Sequence, residues 1–122
     1  MAEYQLGAME SKFSDLVWDH APVSTTELVK LCGAELNWKR TTTYTVLKRL
    51  CEKGLFEAQN GTVTVLLGRK EFYARQSRQY VDRSFQGSLP AFLAAFTGGR
   101  RLTASEAAEL RAMIENAEEE KP

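Results

Sequence analysis

The chain has 122 residues and a formal net charge of zero, with 43% hydrophobic and 26% charged residues, so it is long enough for one domain or for a small domain with an appendage. No apolar run approaches the roughly 18 residues of a membrane span, and the N-terminus lacks a basic segment followed by an apolar one. These features argue against an integral membrane protein and against export, and we expect a cytoplasmic location.

Residues with reactive side chains are few. Cys32 and Cys51 lie among apolar helical positions without a Cys or His at ligand spacing, which predicts buried reduced thiols rather than a disulfide or a metal site. His20 has no Ser or Cys placed to be its nucleophile. The sequence shows no paired carboxylates and no set of metal ligands, so we expect neither an enzyme nor a bound cofactor.

The zero net charge hides an uneven distribution. Residues 39–83 contain ten Lys and Arg against four Asp and Glu, which leaves both ends of the chain acidic. A basic middle between acidic ends predicts one surface that faces a polyanion.

Two helices are predicted in the N-terminal third. The apolar residues of the first recur at helical spacing from residue 6, namely Leu6, Met9, Phe13, Leu16 and Val17. Pro22 ends this helix, because proline disfavours helical backbone at the residue before it. A capping box, in which the Ser24 hydroxyl accepts from the Glu27 amide, begins the second helix, and we expect that helix to end at Gly33.

The third predicted helix, about residues 38–53, has two contrasting faces. At 100° per residue, apolar positions share one face, and the opposite face carries Thr41, Tyr44, Thr45 and Lys48. Five basic residues against one acid between positions 39 and 53 give the segment a charge of +4. The second and third helices therefore predict a helix-turn-helix with a DNA-recognition helix. The alternative is an ordinary amphipathic helix with a solvated basic face.

A β-hairpin is predicted directly after the third helix. Gly54 ends the helix. The pair Asn60-Gly61 then separates two segments with strand-like residue patterns, the second with alternating side chains, as a type I′ turn does in a hairpin. This hairpin, about residues 55–67, would be the wing of a winged helix. We therefore assign residues 1–68 to a winged-helix DNA-binding domain.

Three further amphipathic helices are predicted in residues 69–122. The first spans about Glu71 to Phe85, Ser88 caps the second, and a capping box from Thr103 to Glu106 begins the third. The first is too polar to be buried on its own in this domain, and together the three have too little bulk for an independent core, so we predict a dimerisation region. Its candidate contact residues are Tyr80, Leu89, Phe92, Leu93, Phe96, Leu110 and Ile114. The alternative is that these helices fold back on their own winged helix. The predicted fold class is mostly α with a small β-hairpin.

The order and spacing of several motifs resemble the penicillinase repressor family of BlaI and MecI. The motifs are Trp38 followed by Thr42, Thr45, Leu47 and Arg49-Leu50, then Lys53-Gly54-Leu55, the Asn60-Gly61 turn, and Phe85-Gln86-Gly87-Ser88-Leu89 leading to Phe96 and a Leu-Thr-x-x-Glu helix. The resemblance implies homodimeric winged-helix repressors that bind palindromic operators. It also implies that a membrane sensor metalloprotease relieves repression by triggering cleavage within the dimerisation helices.

The chain departs from the family pattern at several positions. Thr62 follows the wing glycine, where the family usually has Arg. The pair Ala95-Phe96 matches the family's Asn-Phe cleavage site, so it is the candidate cleavage site, with regulation without proteolysis as the alternative. No cysteine follows Cys51, unlike in the copper-responsive branch of the family.

Candidate DNA contacts follow from the helical faces. Thr41, Tyr44, Thr45 and Lys48 are predicted to face the major groove, and basic residues at the helix edges to contact phosphates. The complete set is Lys39, Arg40, Thr41, Thr42, Tyr44, Thr45, Lys48, Arg49 and Thr62. Two other functions stay open, a protein-interaction adaptor and a regulator that responds to a small molecule.

Overall fold

The computed structural model describes residues 4–117, in nine helices and strands. In chain order these are α1 (Ala8–His20), β1 (Val23–Ser24), α2 (Thr25–Leu36), α3 (Arg40–Glu52), β2 (Phe56–Gln59), β3 (Thr62–Val65), α4 (Arg69–Ser84), α5 (Leu89–Gly99) and α6 (Ala104–Ala117). The predicted fold class is confirmed, since a winged helix-turn-helix is followed by C-terminal helices. The chain divides into two compact units within α4, between Tyr80 and Val81. The functional division at residue 68 stays a prediction.

The core of the first unit forms where the helices pack on the sheet. Its fully or almost fully buried side chains include Phe13, Val17, Leu28, Cys32, Leu50, Leu55, Phe56, Val63 and Phe72. Phe13 stacks on Trp38 with ring centroids 5.7 Å apart, and Trp18 meets Phe56 edge to face at 5.9 Å. Burial of each large apolar side chain stabilises the fold by about 1.5–3 kcal/mol. The two ring contacts pack α1 against Trp38, just before α3, and against β2.

The end of α2 and the start of α1 differ from the prediction. The second helix does not end at Gly33 but continues to Leu36, because the left-handed residue that ends it is Asn37, with φ of 57°. The first helix begins at Ala8 rather than Leu6, since Gly7 is its N-cap and donates its N–H to the Glu10 carboxylate at 3.0 Å.

The sheet has three antiparallel strands in the order β1-β3-β2. The predicted hairpin is confirmed, and both residues of its turn have positive φ, 54° at Asn60 and 76° at Gly61, as a type I′ turn requires. Strand β1 was not predicted, because two residues are too few to show alternation. Ser24 pairs with Thr62, and the Thr25 N–H donates to the Gly61 carbonyl at 2.9 Å.

Helix α4 begins at Arg69, earlier than predicted, and contributes to the core of the first unit. Phe72 is fully buried, so the expectation that this helix is too polar to be buried in the domain is wrong at that position. Trp18 donates its indole N–H to the Leu67 carbonyl at 3.0 Å, and Arg69 pairs with Asp19 at 2.7 Å. These contacts join the start of α4 to α1.

The second unit contains α5 and α6. The predicted caps are confirmed. The Ser88 hydroxyl accepts from the Ala91 amide, and Thr103 and Glu106 exchange both bonds of a capping box at 3.0 Å. Within residues 89–117, α5 and α6 bury none of their side chains. Across residues 4–117, no helix is both long and apolar enough to cross a membrane.

Candidate nucleic-acid interface

Helix α3 presents its polar face outward because its other face is buried in the core. Thr43, Val46, Leu47 and Leu50 are buried. The four predicted groove-facing side chains, Thr41, Tyr44, Thr45 and Lys48, are all exposed. The structure therefore brings these four together on one accessible surface, which we call the α3 outer face.

Two threonines on the α3 outer face are linked by a hydrogen bond. Thr45 donates its hydroxyl proton to the Thr41 carbonyl at 2.9 Å. The hydroxyl proton of Thr45 is thus used within the helix. Its methyl group and the lone pairs of its oxygen remain available to a ligand.

Tyr44 lies under a basic side chain from the preceding turn. The guanidinium of Arg40 is 5.7 Å from the Tyr44 ring centroid, a cation–π distance. Hydrogen bonding to Thr25, and then to Arg40, lowers the pKa of Tyr44. The Tyr44 hydroxyl can both donate and accept, so it is a candidate for contact with either kind of group on a ligand.

Arg49 and Lys53, at the C-terminal end of α3, point toward α1. The Glu10 carboxylate lies 3.4 Å from the Arg49 guanidinium and 3.5 Å from the Lys53 ammonium. The sequence did not predict this pairing, because Glu10 is 39 positions from Arg49 and 43 from Lys53. Only its capping contact with Gly7 is local in sequence. At the other end of α3, Lys39 is the N-cap residue and is exposed.

The wing lies beside α3. Thr62, the departure from the family pattern, is exposed on β3 and pairs with Ser24 and Gln59. Thr42, by contrast, is exposed on the flank of α3. An open cavity of about 460 Å³ lies between α3 and the wing. Its lining includes Tyr44, Leu47, Lys48, Phe56, Ala58 and Leu66.

Both cysteines are free thiols within the first unit. Cys32 is buried and Cys51 partly buried, and burial raises the pKa of each thiol above its usual value. Within residues 4–117, no cluster of three or more His, Cys, Asp or Glu side chains could hold a metal ion.

The predicted dimerisation residues fall into three groups. Phe92, Leu93, Phe96 and Leu110 line an apolar groove of about 310 Å³ between α5 and α6. Leu89 and Ile114 are exposed at 63% and 61%. Tyr80 is exposed on α4, at the end of the first unit.

The candidate cleavage site, Ala95-Phe96, lies inside α5 and both residues are exposed. A protease that binds its substrate in an extended conformation would have to unwind this part of the helix. Gly98 and Gly99 follow directly, and glycine weakens a helix.

Comparison with known proteins gives two matches that span most of the sequence. Residues 6–116 match the family described as Penicillinase repressor. The chain is also similar to the "Penicillinase repressor" of Bacillus licheniformis, with 25% identity over 115 residues that cover 91% of this chain and 90% of that protein. The match extends over both units.

Proposed function

The chain belongs to the penicillinase repressor family, a family of transcriptional repressors, and on that premise we propose that it binds operator DNA as a homodimer through α3 and the wing. The observation that carries this proposal is the α3 outer face. Polar and basic side chains are exposed there on a helix whose opposite face is buried, next to a β-hairpin. An α-helix presented in this way fits the major groove of duplex DNA.

The α3 outer face would read base edges. The methyl group of Thr45 can contact the methyl group of thymine, and Lys48 can donate hydrogen bonds to the acceptors of guanine. Tyr44, which is exposed beside Arg40, would donate its hydroxyl proton to an acceptor such as a purine N7. Thr41, at the start of the helix, completes this set.

Phosphate contacts would set the position of α3 along the duplex. Lys39 and Arg40 lie at its N-terminal end, where exposed backbone N–H groups also favour anions. Thr42, Arg49 and Thr62 are the remaining candidates. Such contacts supply affinity that does not depend on sequence.

A homodimer would cover the apolar residues that the second unit exposes. Phe96 is 44% exposed, and Leu89 and Ile114 more so. Exposed apolar side chains in one region are typical of a protein interface. A two-fold dimer places two α3 helices about one DNA turn apart, roughly 34 Å, so the operator should be a palindrome.

Fluorescence anisotropy with the duplex upstream of the gene, at several salt concentrations, tests DNA binding. We expect wild-type protein to prefer this duplex to a scrambled one. Lys48→Ala should weaken binding by about tenfold and reduce the salt slope by up to about 0.9 per subunit, because each subunit loses one cation close to the DNA. The matched control is Lys12→Ala, an exposed lysine on α1. Equal effects of the two variants would remove Lys48 from the interface.

Cleavage at Ala95-Phe96 under control of a membrane sensor metalloprotease is our proposal for the relief of repression. The test incubates the protein with membranes from cells that express such a sensor and identifies fragments by mass spectrometry. We expect a cut after residue 95, faster in Ala95→Asn, which restores the residue the family has there. No cut at this bond in either protein would contradict proteolytic relief.

A further inference from the structure

One acidic side chain faces two basic ones at the C-terminal end of α3. Glu10 Oε2 lies 3.4 Å from Arg49 Nη1, and Glu10 Oε1 lies 3.5 Å from Lys53 Nζ. The Glu10 side chain is only 14% exposed, whereas that of Arg49 is 53% exposed. A carboxylate of α1 thus neutralises part of the charge of two among the five basic residues in segment 39–53.

Contacts within the N-terminal segment hold Glu10 in this position. Its Oε1 accepts the Gly7 N–H at 3.0 Å, which fixes the carboxylate to the first turn of α1. Lys53 Nζ also donates to the Gln5 carbonyl at 3.2 Å. Burial acts to raise the pKa of Glu10, but the Gly7 hydrogen bond together with Lys53 and Arg49 holds it below its ordinary value. Glu10 is therefore charged at neutral pH.

We propose that Glu10 is a positioning residue for DNA binding, which holds Arg49 and Lys53 toward α1 and so limits the charge that α3 offers to phosphates. This inference rests on the proposed DNA-binding function. Phosphate contacts dominate sequence-independent affinity, so the effect of Glu10 falls mainly on non-specific binding. Base reading by the α3 outer face is unaffected. Glu10 thereby raises the ratio of operator affinity to non-specific affinity.

The test is Glu10→Gln, measured on a labelled duplex of arbitrary sequence at several KCl concentrations. The glutamine side-chain oxygen still accepts the Gly7 N–H, while the charge is lost. If both cations turn to phosphates, the slope of log K against log salt should steepen by up to about 1.8 per subunit, at about 0.9 per contact. At physiological salt we expect binding to be at least about threefold tighter.

The matched control is Glu35→Gln, which removes the same charge from an exposed position on α2. We expect a smaller change in slope than for Glu10→Gln. Equal slopes for the two variants, or a shallower slope for Glu10→Gln, would overturn the role of Glu10. If wild-type protein does not bind either this duplex or the operator duplex at low salt, the proposed function itself fails. The two failures are therefore distinguishable.

A second comparison leaves the cap of α1 intact and does not depend on the folding of Glu10→Gln. Lys48→Gln should reduce the salt slope by up to about 0.9 per subunit, and Lys53→Gln by much less, because Glu10 already holds Lys53. Equal reductions would overturn the proposal. Thermal unfolding of each variant separates positioning from stability, since a purely structural contact would lower the melting temperature without steepening the salt slope.

Discussion

The two units place their apolar side chains in opposite ways. Helix α3, in the first unit, is polar on average and yet buries four residues. Helix α5, in the second, is the most apolar helix among residues 4–117 and buries none. Composition alone therefore does not decide burial. What decides it is whether another element of the same chain covers the apolar face, and for α5 and α6 we propose that a second copy does so.

Two phenylalanines give the sharpest test of this difference. Phe72 is fully buried against Trp18, with ring centroids 5.8 Å apart. Phe72→Ala should destabilise the first unit by about 3–5 kcal/mol, measured by urea unfolding followed through tryptophan fluorescence. Phe96→Ala, at a position 44% exposed, should leave that transition unchanged and weaken dimerisation instead. Equal losses of stability in the two variants would show that the units do not differ in this way.

Ile114→Asp should break the proposed dimer without unfolding the monomer. The side chain is 61% exposed, so aspartate there stays hydrated in a single chain. In a dimer interface it would be an unpaired buried charge, and we expect the dissociation constant to rise at least about 100-fold in analytical ultracentrifugation. Ala112→Asp, on the opposite side of α6, is the control. A dimer that persists in Ile114→Asp would place the interface elsewhere.

Two glycines should respond to alanine with opposite signs. Gly61 has φ of 76° in the wing turn, so Gly61→Ala should destabilise the first unit by about 1–2 kcal/mol. Gly98 is helical, and a Cβ there would meet no atom within 4 Å, so Gly98→Ala should stabilise α5 by up to about 1 kcal/mol. Thermal unfolding measures both changes. A gain at Gly61 or a loss at Gly98 would contradict the backbone explanation.

The smallest expected effect is a loss of stability of the second unit at acid pH. The Arg100 guanidinium, with the Thr103 backbone N–H, lowers the pKa of Glu106 from 4.5 to about 2. A carboxyl group whose pKa is lower in the folded state stabilises that state above its unfolded pKa. Its contribution to the second unit should therefore disappear as pH falls from about 4.5 to about 2. Circular dichroism during acid titration should show this loss, and Glu106→Gln should remove it; an identical titration for Glu106→Gln would contradict the assignment.

Local chemistry explains which parts of the fold could be predicted from the sequence. The two faces of α3, the Asn60-Gly61 turn and the caps at Ser88 and Thr103 each depend on residues within a few positions of one another. Helical periodicity and turn preferences express this information directly. These elements agree with the structure.

Contacts between distant residues explain the rest. Strand β1 exists because Val23 pairs with Val63, and the burial of Phe72 depends on α1 and the sheet. At the candidate interface, the pairing of Glu10 with Arg49 joins residues 39 positions apart. The end of α2 depends on a choice between two nearby residues. Gly33 is the more usual residue type at a left-handed helix end, but α2 ends at Asn37. Only the packed chain distinguishes such alternatives.

The pairing of β1 with β3 joins the wing to the chain segment just before α2. Because the Thr25 N–H holds the Gly61 carbonyl, the tip of the wing is joined to the first turn of α2. Fixing the backbone of a mobile residue costs about 1–2 kcal/mol in conformational entropy. In the proposed complex, a wing held in this way would lose less conformational entropy, and the hairpin would need little rearrangement.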